Sequence, residues 1–214
     1  MSQDKRRLLK ILTAQPVVPV VAVESAEEGV SLAKSLAAGG IRSIEVTLRT
    51  PAALEAIRAI VAEVPDMVCG AGTILTTKQF EAAEKAGAEF IVSPGATVEI
   101  LDAARGSDVP LLPGSATPSE MMAMLQEGYE VLKFFPAEQI GGAALLKSIA
   151  PVMPALKFCP TGGISPKNVR DYLDLPNVLC VGGSWLAPKD KVAAGDWSGI
   201  TALAREAAAL KPAA

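Results

Sequence analysis

The chain has 214 residues, half of them hydrophobic but only 4% aromatic, and a formal charge of −3. That length suits one domain with one large core, an apolar mass of Ala, Val, Ile and Leu favours layered α/β packing, and the slight acidity offers no basic footprint for nucleic acid or an anionic membrane. Histidine is absent, which removes the commonest zinc ligand, the usual base of serine and cysteine hydrolases and the two-histidine iron site.

In chain order, DKRRLLKILTAQ reads as an amphipathic helix ahead of the main fold, within 1–15, able to close the bottom of a barrel. The following ILTAQPVVPVVAV is broken by Gln15, Pro16 and Pro19; it has no leader-type cleavage site, and no run approaches the ~20 apolar residues of a membrane span. The expectation is a cytoplasmic protein. Eight runs of strand length then recur: VVPVVAV from Val17, SIEVTL from Ser43, MVCGAG from Met67, EFIVS from Glu89, VPLLP from Val109, EVLKFF from Glu130, ALKFCP from Ala155 and NVLCVG from Asn177.

Between the runs lie Ala- and Glu-rich stretches with helical spacing. SAEEGVSLAKSLAAGG offers Ser25 as N-cap with Glu28 three residues on and closes on Gly39 and Gly40. TPAALEAIRAIVAEV repeats the plan with Thr50 as cap and Pro51 at the first helical position. Strand starts roughly 20 to 26 residues apart fit successive βα units of a parallel sheet. The predicted fold is therefore α/β: a single (β/α)8 TIM barrel over 1–214, with the extra N-terminal helix at 1–15, barrel strands and helices at 16–188 and C-terminal helices at 189–214. An open doubly wound sheet is the alternative, but its G-x-G-x-x-G is missing after the first run. Cys69, Cys159 and Cys180 sit in apolar runs without paired spacing and read as core residues of a reducing compartment.

A barrel builds its active site at the carboxyl ends of its strands. The polar residues there are Glu45, Thr47 and Arg49, then Thr73, Ser93, Ser115, Thr117, Lys133, Thr161 and Ser184, with Gly162, Gly163, Gly182 and Gly183 beside them. Strand periodicity puts Glu45, Thr47 and Arg49 on one face, and Val131, Lys133 and Phe135 on one face. Alone, Lys133 reads as a lysine snorkelling from a strand end, and Glu45 as an exposed residue or a partner of Arg49. If both faces point inward, an amine and a carboxylate meet in one cavity. Desolvation of Lys133 among Leu132, Phe134 and Phe135 would favour the neutral amine, the nucleophile that forms an imine with a carbonyl. Glu45 is then the general acid/base, and Arg49 and Thr73 are placed for a substrate carboxylate. The turns PTGGIS and VGGSWL close the last two strands, where such barrels bind phosphate through backbone N–H groups.

Read together, IEVTLRT, GAGT, SPG, PLLPG, LKFFPAE, FCPTGGISP and VGGSWL resemble the 2-keto-3-deoxy-6-phosphogluconate (KDPG) aldolase family, class I aldolases of the Entner–Doudoroff route, over about 16–188. The resemblance implies a metal-independent carbon–carbon lyase that makes pyruvate and glyceraldehyde 3-phosphate from the phosphorylated keto acid, with 4-hydroxy-2-oxoglutarate as a further substrate. It implies no cofactor beyond the covalent Schiff base on Lys133, no metal, no nucleic-acid or membrane partner, and a homotrimer. By its motifs Lys133 is the Schiff-base lysine and Glu45 the acid/base. Arg49 and Thr73 contact the pyruvate carboxylate, Pro94 and Phe135 shape the pocket, Thr161 contacts substrate and favours the gluconate epimer, and Gly162, Gly163, Gly183 and Ser184 hold phosphate. Ser115 departs from the branched apolar residue usual in the family, and the expected effect is a looser strand-five wall of the pocket. The rival readings are a sugar-phosphate isomerase or epimerase, which the missing histidine disfavours, and a drifted or engineered trimeric scaffold with no catalysis.

Overall fold

After an N-terminal helix, strand and helix alternate along residues 5–210, the part of the chain that the computed structural model describes. The ends of the expected terminal helices, 1–4 and 211–214, lie outside the described residues. Helix α1 (Lys5–Thr13) leads into β1 (Val17–Val21), α2 (Ala26–Ala38), β2 (Ser43–Thr47), α3 (Ala53–Glu63), β3 (Val68–Gly72), α4 (Thr77–Lys85), β4 (Ile91–Val92) and α5 (Val98–Arg105). Then come β5 (Leu111–Leu112), β6 (Gly114–Ser115), α6 (Pro118–Gln126), β7 (Val131–Phe134), α7 (Gly142–Ile149), β8 (Lys157–Pro160), α8 (Val169–Leu173), β9 (Val181–Gly183), α9 (Lys189–Ala193) and α10 (Trp197–Ala208).

Side-chain caps set several helix starts. Ser25, Thr76, Thr97 and Thr117 each accept a backbone N–H three residues on, and Thr117 and Glu120 form a reciprocal capping box with Pro118 in the first turn. Thr50 is a correction to the sequence reading: its hydroxyl donates to the Val23 carbonyl at 2.6 Å, and α3 starts at Ala53 without a side-chain cap.

All strand pairings are parallel, in a curled sheet that falls into two parts, β5-β4-β3-β2-β1-β9 and β6-β7-β8. The fifth apolar run borders both parts, because Pro113, which has no N–H to give to a ladder, splits it into β5 and β6. Its carbonyl still accepts the Lys133 N–H at 2.9 Å. The expected eight runs thus become nine strand segments among the described residues. On the other side, isolated parallel bridges join Phe158 to Val178 and Thr161 to Gly182.

Alternation divides the core in two. One buried cluster joins strand residues such as Ile44, Leu132, Phe134 and Phe158 to helix residues such as Ile57 and Leu146. A smaller one gathers the opposite strand faces, including Val18, Val92 and Val131, around Leu8, Ile11 and Leu12 of α1. The three cysteines are buried and free. Gln15 pins the α1–β1 connection to the start of β2: its amide nitrogen donates to Val17 (2.9 Å) and Ser43 (2.8 Å) carbonyls, and its oxygen accepts the Arg42 and Ser43 N–H groups. All its hydrogen-bonding capacity is used, which a buried amide requires.

Helices α2 and α10 approach at Gly39, where a Cβ would lie 2.4 Å from Ala204 Cβ and 2.7 Å from the Thr201 carbonyl oxygen. Gly39→Ala therefore forces the helices apart and lowers stability by about 1–3 kcal/mol, read as an earlier urea midpoint. Gly106→Ala, at the matching end of α5 where the nearest contact would be 3.6 Å, leaves the midpoint unchanged or raises it by about 0.5 kcal/mol.

Candidate active site

Strand β2 buries a carboxylate. Glu45 is 3% exposed on a strand buried along its length, and neighbouring β3 makes room with glycine: a Cβ on Gly72 would fall 2.0 Å from Glu45 Oε1. From β7, 88 residues further on, Lys133 Nζ donates to that oxygen at 3.2 Å. Lys133 is 5% exposed and is flanked in register by Gly114 and Cys159. Its ammonium lies 5.5 Å from the centre of the Phe135 ring. Leu132 and Phe134, expected to desolvate it, belong instead to the cluster shared with the helices. Strand alternation turns them to the opposite face.

A cavity of about 400 Å³ opens over this pair, and Glu45, Arg49, Thr73, Pro94, Lys133, Phe135, Thr161, Gly162, Gly163 and Ser184 all line it. Gly183 is the one predicted residue outside that lining. It pairs with Pro19 of β1, and a Cβ there would lie 2.1 Å from the Trp185 ring. Ser115 is absent from the lining too: it is buried in register with Phe134, one residue away from the inward face of Lys133. The expected looser wall does not arise from it. A second depression of about 680 Å³ adjoins, and Arg49 and Ser184 border both.

Thr47 is a functional neighbour the sequence reading left without a role. Its hydroxyl donates to the Val21 carbonyl at 2.7 Å and accepts the Arg49 Nε–H at 2.9 Å, so it aims the guanidinium along the cavity rim. Its signal was the two-residue period that places it between Glu45 and Arg49 on the inward face. Thr73 follows directly on β3 with φ of 62°, the one non-glycine residue in the left-handed region among those described. A β-branched residue held there is strained by about 1–3 kcal/mol. Thr161 lines the cavity, while its hydroxyl is buried with no protein partner against Gly182, where a Cβ would lie 2.2 Å from it.

The Gly162–Gly163 turn runs through φ of 107° and 76°, open to glycine at no steric cost. Its carbonyls are committed: Thr161 to the Ala137 N–H (2.8 Å), Gly162 to the Glu138 N–H (3.1 Å) and Gly163 to the Asn168 amide (3.2 Å). Two cations, Lys133 and Arg49, face one carboxylate, Glu45, across the cavity, a balance suited to an anionic ligand. Among the described residues no three His, Cys, Asp or Glu side chains are grouped to hold a metal ion. A buried amine touching a buried carboxylate can add to a carbonyl and pass the protons of that addition to the acid.

The family model described as KDPG and KHG aldolase matches residues 8–203. The KHG/KDPG aldolase of Escherichia coli K12 is 53% identical over 207 residues, 97% of each chain. Among solved structures, the KDPG aldolase of Legionella pneumophila, with pyruvate captured as a covalent carbinolamine intermediate, is 47% identical with a TM-score of 0.92, covering 94% of this chain and 98% of that one. The 2-keto-3-deoxy-6-phosphogluconate aldolase of Zymomonas mobilis ZM4 with 3-phosphoglycerate is 48% identical with a TM-score of 0.90, covering 95% of this chain and 96% of that one. With a match that runs through every strand and every cavity-lining residue, the chain belongs to the KDPG and KHG aldolase family.

Proposed function

We propose that this protein is a class I aldolase that cleaves 2-keto-3-deoxy-6-phosphogluconate to pyruvate and glyceraldehyde 3-phosphate, and also 4-hydroxy-2-oxoglutarate to pyruvate and glyoxylate. The observation that carries the reading is the buried contact of Lys133 Nζ with Glu45 Oε1 at 3.2 Å beneath the cavity. Lys133 adds through its neutral amine to the C2 carbonyl, giving a carbinolamine; loss of water, with the proton supplied by Glu45, leaves a protonated imine. Glu45 then takes the proton of the C4 hydroxyl. As the C3–C4 bond breaks, its electron pair passes into the imine to form an enamine, and the C4 oxygen becomes the aldehyde of glyceraldehyde 3-phosphate. Protonation of the enamine at C3 and addition of water release pyruvate and restore the free amine. The electron sink is the imine, so no metal is required. The pyruvate carbinolamine of the Legionella relative corresponds to the last adduct, formed when water adds to the pyruvyl imine just before pyruvate leaves.

Arg49, aimed by Thr47, and Thr73 bind the carboxylate next to the reacting carbonyl, while Pro94 and Phe135 confine the chain of the substrate. Thr161, on the cavity wall, contacts the substrate and favours the gluconate over the galactonate epimer. Gly162, Gly163 and Ser184 take the phosphate, with Gly183 shaping the strand behind them. The 3-phosphoglycerate of the Zymomonas relative, close in size to the aldehyde product, supports a phosphorylated substrate.

In this proposal 1–214 is one domain whose two sheet parts, joined through the 111–115 run and the bridges to β8, make one eight-stranded (β/α)8 barrel. The active form is a homotrimer. Leu75, Val98 and Met122, at or next to α4, α5 and α6, are more than half exposed, apolar surface that another copy could cover. No described helix is long and apolar enough to cross a membrane, in keeping with a cytoplasmic enzyme.

Release of pyruvate from the phosphorylated keto acid tests the assignment. Lys133→Met is expected to abolish turnover, and Glu45→Gln to lower kcat by about 10² to 10⁴; full activity in either variant would refute the assigned chemistry. At Thr73, the Ala and Gly variants both lose the hydroxyl and raise KM by about tenfold. Only Gly relieves the left-handed backbone, so Thr73→Gly melts about 2–4 °C above Thr73→Ala.

A further inference from the structure

Behind the Gly162–Gly163 turn lies a contact that the reaction itself does not use. Tyr172 of α8 is fully buried, and its hydroxyl donates to Glu138 Oε1. Burial, first, and the adjoining Glu138 carboxylate hold the phenol well above its ordinary pKa, so it stays a donor. Glu138 stands in the segment that leaves β7 just after Lys133, and its chain is laid against the turn. Its N–H donates to the Gly162 carbonyl at 3.1 Å, while a Cβ on Gly163 would lie 2.6 Å from Glu138 Cγ and 2.7 Å from its Cβ. Gly142, at φ of 58°, leaves room for the pair: a Cβ there would come within 3.2 Å of both Glu138 Oε1 and the Tyr172 hydroxyl.

We propose that Tyr172 and Glu138 are positioning residues for the phosphate end of the substrate: the Tyr172 hydroxyl fixes Glu138, and Glu138 props the Gly162–Gly163 turn in the shape that receives an oxyanion. The inference rests on the reading of that turn as the phosphate site. Glu138 is exposed, so the fold loses little without it, whereas a turn with two left-handed glycines has many other shapes open to it once its support is gone. Fixing the turn in advance spares the ligand the cost of ordering it. The tie also holds a carboxylate, which would repel a phosphate, to a buried donor in one place.

Steady-state kinetics on 2-keto-3-deoxy-6-phosphogluconate and on its unphosphorylated counterpart separate this role from a structural one. Tyr172→Phe and Glu138→Ala are each expected to raise KM for the phosphorylated substrate by about fivefold to tenfold. Their kcat should stay within about twofold, and their KM for the unphosphorylated substrate should not change. Glu138→Gln keeps the stem and an oxygen for Tyr172, and is expected to restore KM to within about threefold of the parent protein. Equal loss on both substrates, or no loss on either, would overturn the proposal while the parent protein still prefers the phosphorylated substrate. If the parent protein shows no such preference, the phosphate reading of the turn fails and this inference falls with it.

Discussion

Burying a carboxylate and an ammonium together costs several kcal/mol per ion in lost hydration, and a well-packed apolar pair in the same space is often the more stable choice. Glu45 and Lys133 are nonetheless held in contact at a few per cent exposure, and the neighbouring strands are shaped around them. Gly72 is glycine because the carboxylate occupies the space a methyl group would need. Gly114, in register with Lys133, is glycine because the backbone of Pro94 crosses where its Cβ would be, 2.2 Å away. The fold thus gives up packing around two charged groups, and the return lies in chemistry: the carboxylate is in place to move the protons that imine formation and cleavage require.

The parallel sheet makes that contact possible. Glu45 and Lys133 come from strands far apart in sequence, and only a curled sheet turns both inward faces onto one cavity. The smaller apolar cluster under it, with α1 as its base, leaves the strand ends at the other side as the place where polar side chains gather. Unusual backbone is concentrated at the same rim, in the strained left-handed Thr73 and in the two left-handed glycines after Thr161. Rigid strands beneath and unusual backbone above are the division of labour expected where function sits on loops carried by a scaffold.

Much of this was legible in the chain itself. Regular spacing of apolar runs and capped helices specified the βα order, and a period of two placed Glu45 and Lys133 on faces that meet. Position-specific details were not legible, because they depend on which face of a strand a neighbour takes and on contacts distant in sequence. Leu132 and Phe134 flank Lys133 in the chain yet pack away from it, and Ser115 follows them. Pro113 divides one apolar run between two sheet parts, since the missing N–H is felt only once the partner strands are known. Thr50 looks like a helix cap and instead bonds the Val23 carbonyl. Gly183 is a glycine for the sake of Trp185, which no motif announces. Thr47, whose hydroxyl bonds both the Val21 carbonyl and the Arg49 Nε–H, holds part of the site in place without belonging to its reacting atoms.

The central claim is that Lys133, and no other lysine, is the nucleophile. Incubation of the purified protein with pyruvate and sodium borohydride, followed by intact mass and peptide mapping, tests it most directly. One reduced pyruvyl adduct per chain is expected, on the peptide that contains Lys133. An adduct on a different lysine, or none while the protein still cleaves its substrate, would contradict it.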